Sequence, residues 1–143
     1  MFKTIVVGTD GSDTAQRAVS KAAEIASLTG ASLHVVSAYS GGPVQVGGGA
    51  EPEAKDWAIG ADYNAEAVLQ RTASRLRDNG IDVGEHAPKG DPADGIVEVA
   101  TREKADLIVL GSVGMQGKRR LLGSVPNKVS HHAPCDVLIV HTA

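Results

Sequence analysis

Two short segments hold the residues whose types and spacing can do chemistry. The first runs Gly111-Ser112-Val113-Gly114-Met115-Gln116-Gly117-Lys118-Arg119-Arg120-Leu121-Leu122-Gly123-Ser124. Its glycines at 111, 114 and 117 let backbone N–H groups turn inward around an anion. Lys118, Arg119 and Arg120 follow with positive charge. Gly123 and Ser124 open a helix, whose N-terminus favours phosphate, and Ser124 adds a hydroxyl. A flexible loop with a solvated basic tip is the plain alternative, but glycines, cations and a helix start together point to phosphate. The second segment, Gly8-Thr9-Asp10-Gly11-Ser12, sets Asp10 just past an apolar strand. A carboxylate there accepts hydrogen bonds from ribose hydroxyls or an adenine amino group, and Asp, Gly and Ser are equally ordinary turn and cap residues.

Sharper motifs fail. A P-loop would need glycine where Ser112 stands and Ser or Thr where Arg119 stands. The dinucleotide fingerprint is missing from GTDGS after the first strand. Ser40-Gly41-Gly42 starts a pyrophosphatase-like SGG, but after the wrong strand and without the completing Asp and Ser. Only Asp10 would fit a receiver domain, and no GxSxG elbow occurs. His131 and His132 are adjacent, so on a helix they point about 100° apart and make poor metal partners. They suit a helix C-terminus better. Cys135 reads as a small core residue rather than a nucleophile.

The elements that must position these loops follow from apolar patterning. Lys3 to Gly8, Ser32 to Ala38, Ile81 to Ala87, Asp106 to Gly111 and Asp136 to His141 read as strands. The first and fourth are contiguous apolar runs, as in a parallel sheet covered on both faces, and the third is a weaker edge strand. Helices follow Asp13, with Ser12 or Asp13 as cap and Asp13 with Gln16 as a capping box, and end at Gly30. Another carries Ala65, Val68, Leu69, Thr72, Ala73 and Leu76 and ends at Gly80. A third has Asp91 as cap and Pro92 in its first turn. The last spans Ser124 to His132. Residues 40–60 read as a long, mobile, glycine-rich loop. The order calls for a single α/β domain over 1–143, a doubly wound five-stranded parallel sheet ordered 3-2-1-4-5 with helices on both faces. The first and fourth strands then lie side by side, and ligands bind beyond their carboxyl ends. Both chemistry-bearing loops fall there.

Composition agrees. Among 143 residues, 42% are apolar, 22% charged and 3% aromatic, with a net charge of −3. A broad nucleic-acid surface is not expected, and few aromatics are available for stacking bases. No apolar run nears the roughly 18 residues of a membrane span. Met1-Phe2-Lys3 has no signal-peptide layout, so a cytoplasmic location is expected. One cysteine precludes an internal disulfide.

The segments KTIVVGTDGSDTAQRAVSKAAEIA, EVATREKADLIVLGSVG and LLGSVPNKVSHHAPCDVLIV together resemble the universal stress protein family, in its nucleotide-binding, actinobacterial-like form. Gly111 and Gly114 match the family's Gly-x-x-Gly, and Gly123-Ser124 match its closing Gly-Ser. Eight residues, Met115 to Leu122, stand where the family carries nine. A residue lost before the helix tightens the loop; one lost within a helical turn would rotate Lys118, Arg119 and Arg120 by about 100°.

The resemblance implies a Rossmann-like (HUP) fold and an adenine-nucleotide site. Thr9 and Asp10 would meet adenine or ribose, and the backbone at Ala38 would meet the adenine ring. Gly111, Val113, Gly114, Gly117 and Lys118 would line ribose and phosphates. Gly123, Ser124 and Val125, with Pro126 and Asn127, would hold the phosphate end. It also implies a homodimer through the last strand, at Val137, Leu138, Ile139 and Val140. The expected function is binding of ATP, AMP or cyclic AMP by a non-enzymatic stress sensor or nucleotide buffer, with magnesium accompanying ATP. The alternatives are a slow ATP hydrolase or phosphotransfer enzyme on the same fold, and a nucleotide-free dimeric interaction protein. Trp57 and Tyr63 would close over a base or simply pack.

Overall fold

The computed structural model describes residues 1–39, 52–112 and 122–142, with backbone alone for 52–63. The strands are β1 (Thr4–Gly8), β2 (Ser32–Val36), β3 (Val83–His86), β4 (Leu107–Gly111) and β5 (Asp136–Val140). The helices are α1 (Asp13–Thr29), α2 (Pro52–Asp78), α3 (Pro92–Arg102) and α4 (Ser124–His132). All strand pairs are parallel, in the order β3-β2-β1-β4-β5. The expected topology holds, with β1 and β4 adjacent and β3 at an edge.

Alternation along buried strands sorts the helices onto two faces. Ile5, Val7, Leu33, Val35, Leu107 and Val109 share one cluster with Ala18, Val19, Ala22 and Ala26 of α1 and Leu69, Ala73 and Leu76 of α2. Val6, Val36, Ile108 and Leu110 face the other way, into Ile96, Val99 and Ala100 of α3 and Val129 of α4. The alanine stripe of α1 lets that helix sit close on the sheet. At the amino end of the sheet, the Asp106 carboxylate accepts the N–H groups of Lys3 and Thr4 at 2.9 and 3.2 Å, fixing where β1 starts.

Local signals place most helix ends. Gly30, at φ 75°, ends α1 in the left-handed region that glycine tolerates. Asp91 caps α3, its side chain accepting the Asp94 N–H at 3.0 Å, and Pro92 opens the helix. Two expectations need correction. Of the two caps the sequence offers, Ser12 is the one used, its Oγ accepting the Ala15 N–H at 3.2 Å, but with Asp13 already helical the capping box fails. The Gln16 side chain accepts from Arg75 at 2.9 Å instead of closing a box with Asp13. The loop expected through Gly60 is helical from Pro52, because proline at a first helical position loses no needed hydrogen bond. The rest of that expected loop, 40–51, and the side chains of Trp57 and Tyr63 lie outside the described residues.

Cys135 is half-buried against the α3–α4 cluster, and burial followed by the neighbouring Asp136 pushes its thiol pKa up. That suits a packing residue rather than a nucleophile. Among the described residues, no helix is long and apolar enough to cross a membrane.

Candidate functional site

Beyond the carboxyl ends of β1 and β4, the sheet opens into a cleft of about 720 Å³, counting the solvent at its mouth. Gly8 and Gly111, the last residues of those strands, lie on its lining. A Cβ on Gly8 would stand 2.7 Å from Ile96 Cδ1, so the bare backbone there is what lets α3 pack close. Pro92 and Ile96 of α3 and Val125 and Pro126 of α4 supply apolar walls. Lys128 holds those two helices together, its Nζ donating to Asp94 at 3.1 Å and to Asp91 at 3.3 Å. Its ammonium pKa is raised by these bonds, that to Asp94 foremost.

The turn after β1 is built from its own side chains. Buried Thr9 donates its N–H to the Val36 carbonyl at 2.9 Å, and its Oγ1 accepts the Gly11 N–H at 3.1 Å. Asp10 is exposed on the cleft lining, with Oδ1 accepting the Ser12 N–H at 2.9 Å. Its Oδ2 has no partner among the described residues. Gly11 sits at φ 85°, and a Cβ on it would meet Val68 Cγ2 at 2.7 Å. Position 11 therefore needs glycine twice over, for backbone and for space.

Ala38 lies on the lining just past β2. Its neighbours Ser37 and Tyr39 send their N–H groups to the carbonyls of His86 and Pro88 at 3.0 Å each. Ala38 itself turns the other way, and its N–H and C=O are unpaired among the described residues. An apolar slot with one free donor and one free acceptor suits the edge of a heteroaromatic ring.

The second loop starts and returns at one point. The Ser112 carbonyl accepts the Gly123 N–H at 2.9 Å. Ser112 also donates its N–H to Val140 at 2.8 Å and accepts the Thr142 N–H on Oγ at 3.1 Å. Gly123 caps α4 with no side-chain bond, and Pro126 brings no N–H. The N–H groups of Ser124 and Val125 are therefore uncommitted among the described residues, at the positive end of the helix dipole. The Asn127 N–H is spent on the Gly123 carbonyl at 3.0 Å. Because α4 begins at Ser124, after Met115 to Leu122 in the chain, the length of that segment does not set the phase of α4.

Thr9, Asp10, Ala38, Gly111, Val125 and Pro126, which the family resemblance offers as site residues, thus meet on one lining. Gly123 and Ser124 stand at the start of α4 beside it rather than on it. Val113, Gly114, Gly117 and Lys118, with Arg119 and Arg120, lie outside the described residues. Pro92, Ile96, Leu110, Val36, Thr14 and Ala15 line the cleft without having been anticipated as site residues. Their signal is positional: each lies near the carboxyl end of a strand or in the first turns of a helix that faces the switch point.

Fold and site together define a doubly wound α/β protein with an open cleft at its switch point, the usual ligand position of such sheets. The chain belongs to the universal stress protein family, whose sequence model matches residues 1–141. It is 43% identical to a universal stress protein of Mycobacterium tuberculosis over 145 aligned positions, covering 99% of this chain and 97% of that one. Its structure resembles that of a universal stress protein in complex with cAMP, with a TM-score of 0.73, 38% identity and coverage of 99% and 98%. It also resembles a universal stress protein from Archaeoglobus fulgidus in complex with dAMP, with a TM-score of 0.69, 30% identity and 96% of both chains covered.

Proposed function

We propose that this protein binds an adenine nucleotide in the β1–β4 cleft and works as a stress-response sensor or nucleotide buffer. The observation that carries the reading is the division of labour along the lining and at the start of α4 beside it. The free N–H and C=O of Ala38 suit the adenine edge, and the Asp10 carboxylate suits a ribose hydroxyl. The open N–H groups of Ser124 and Val125 suit phosphate. Resemblance to structures of universal stress proteins with cAMP and dAMP supports the same ligand class.

The glycine loop at Gly111, Val113, Gly114 and Gly117, with Lys118, would complete the phosphate end. Asp10 acts in recognition rather than chemistry, since its Oδ1 is tied into the turn. Should ATP be the ligand, magnesium would sit between its phosphates and at most this one carboxylate, the ordinary mode for that ion.

Calorimetry with ATP, AMP and cyclic AMP tests the reading. At least one should bind, and Gly114→Glu should abolish binding while the chain stays folded. Asp10→Asn keeps the turn acceptor but replaces the free oxygen with a donor, and should weaken affinity about tenfold. Silence from all three nucleotides, with no co-purified ligand in mass spectra, overturns the proposal.

A further inference from the structure

On the α3 face of the sheet, at the β2–β3 edge, three metal-ligating side chains converge that the nucleotide reading does not use. His34 pairs in register with Gly84 and Val36 with His86, so both imidazoles point to the same side. Gly84 leaves the space between them: a Cβ there would stand 2.6 Å from His34 Nδ1. The His86 ring leans across it, its Nε2 2.9 Å from His34 Nδ1. Glu103, just past the end of α3, brings Oε1 to 3.9 Å from His34 Nε2. One ring nitrogen of each histidine and one carboxylate oxygen all lie within 4.8 Å of one another, and all three residues are part-exposed.

We propose that His34, His86 and Glu103 form a binding site for one divalent transition-metal ion of the zinc type. Two imidazoles and a carboxylate are a donor set that zinc accepts, with a fourth position left to water. Magnesium and calcium prefer all-oxygen sites. His86 meets His34 at Nδ1 and Glu103 meets it at Nε2, so the rings and the carboxylate must turn to bring one donor of each onto a shared ion. Nitrogens bound to one tetrahedral zinc lie about 3.3 Å apart, from bonds of about 2.05 Å, so the rings must part by only about 0.4 Å. Glu103 closes from the solvent side, where its side chain is 33% exposed.

Arg102 sets the resting state. A guanidinium only donates, so its contact with His86 Nδ1 at 3.2 Å makes that nitrogen an acceptor. The neutral ring then carries its proton on Nε2 and donates it to His34. When metal takes the Nε2 lone pair, the ring proton moves to Nδ1 and Arg102 loses its acceptor. Its Nε is already 3.7 Å from Glu103 Oε2, so it can turn to the oxygen that does not ligate, an orienting role common behind metal ligands. The site stands at the opposite end of α3 from the cleft, about 16 Å along an eleven-residue helix.

Zinc chloride titrated into the full-length, nucleotide-free protein by calorimetry tests the proposal, with cobalt(II) absorption as the report on coordination. One ion should bind per chain. His86→Ala should abolish binding and Glu103→Gln weaken it, with circular dichroism unchanged, while a His131→Ala/His132→Ala pair binds as the wild type does. Should His86→Ala fail to fold, ring-proton NMR of the wild type decides: zinc should shift His34 and His86 and leave His131 and His132 in place. No uptake by the wild type, uptake that survives His86→Ala, or zinc shifts confined to other histidines would overturn it. None of these readouts depends on nucleotide, so the two proposals stand or fall separately.

Discussion

Gly11 shows how much a single position carries. Its φ of 85° and the 2.7 Å approach of Val68 to a would-be Cβ tie the turn after β1 to α2. Gly11→Ala should lower stability by about 1–2 kcal/mol, read as a lower urea midpoint, because a side chain meets both the left-handed penalty and the valine. An unchanged midpoint would mean that the turn relaxes at no cost. Asp10 depends on the same turn, so this glycine sits under the site although it touches no ligand. At this scale the sequence was legible where residue types are rare or specialised. Asp10, Gly111 and Gly30 declare themselves, whereas Pro92 and Ile96 look like any helix start and any core position. His34 and His86 are 52 residues apart, and only the β2–β3 register brings them together.

The element that most directly shapes the cleft is α3, and its cap is titratable. The Asp94 backbone N–H, and then the Lys128 ammonium, hold the Asp91 carboxyl below the ordinary carboxylate range. A lowered carboxylate pKa stabilises the fold at pH above the unfolded value, and the contribution is lost as pH falls through the folded one. Asp91→Ala should therefore cost about 1 kcal/mol at neutral pH, the usual worth of a cap. In strongly acid buffer the urea midpoints of wild type and variant should converge. A gap that persists into acid would put the effect in packing rather than in the cap. Caps and contiguous strands were the readable elements. The start of α2 was not, because glycines at 41–49 and at 60 outweighed the Pro52-Glu53 helix start when no apolar stripe marked the first turns.

For the whole molecule, the sheet leaves two edges, β3 and β5. Val137, Leu138, Ile139 and Val140 are all half-exposed on the outer strand, which is where the family resemblance implies a homodimer contact. The direction of the backbone makes that contact testable. Ser112 bonds the Val140 carbonyl, so Val140 and Leu138 turn their polar groups toward β4, while Val137 and Ile139 turn theirs outward. Ile139→Pro removes an outward N–H and spares the β4–β5 ladder. Sedimentation should show a dimeric wild type and a monomeric variant. A wild type that is monomeric at high concentration would remove β5 from consideration as a pairing edge.

The Ser112–Gly123 hydrogen bond also bears on how the sequence can drift. A segment whose two described ends are hydrogen-bonded to each other leaves and rejoins the fold at one point, so its length bears little on the strands beneath. By the logarithmic cost of ring closure, going from eleven residues to ten between the pins changes the folding free energy by only about 0.1 kcal/mol. Loop length at this spot is therefore nearly invisible to selection on stability. A change of length there should therefore alter ligand affinity before it alters the urea midpoint.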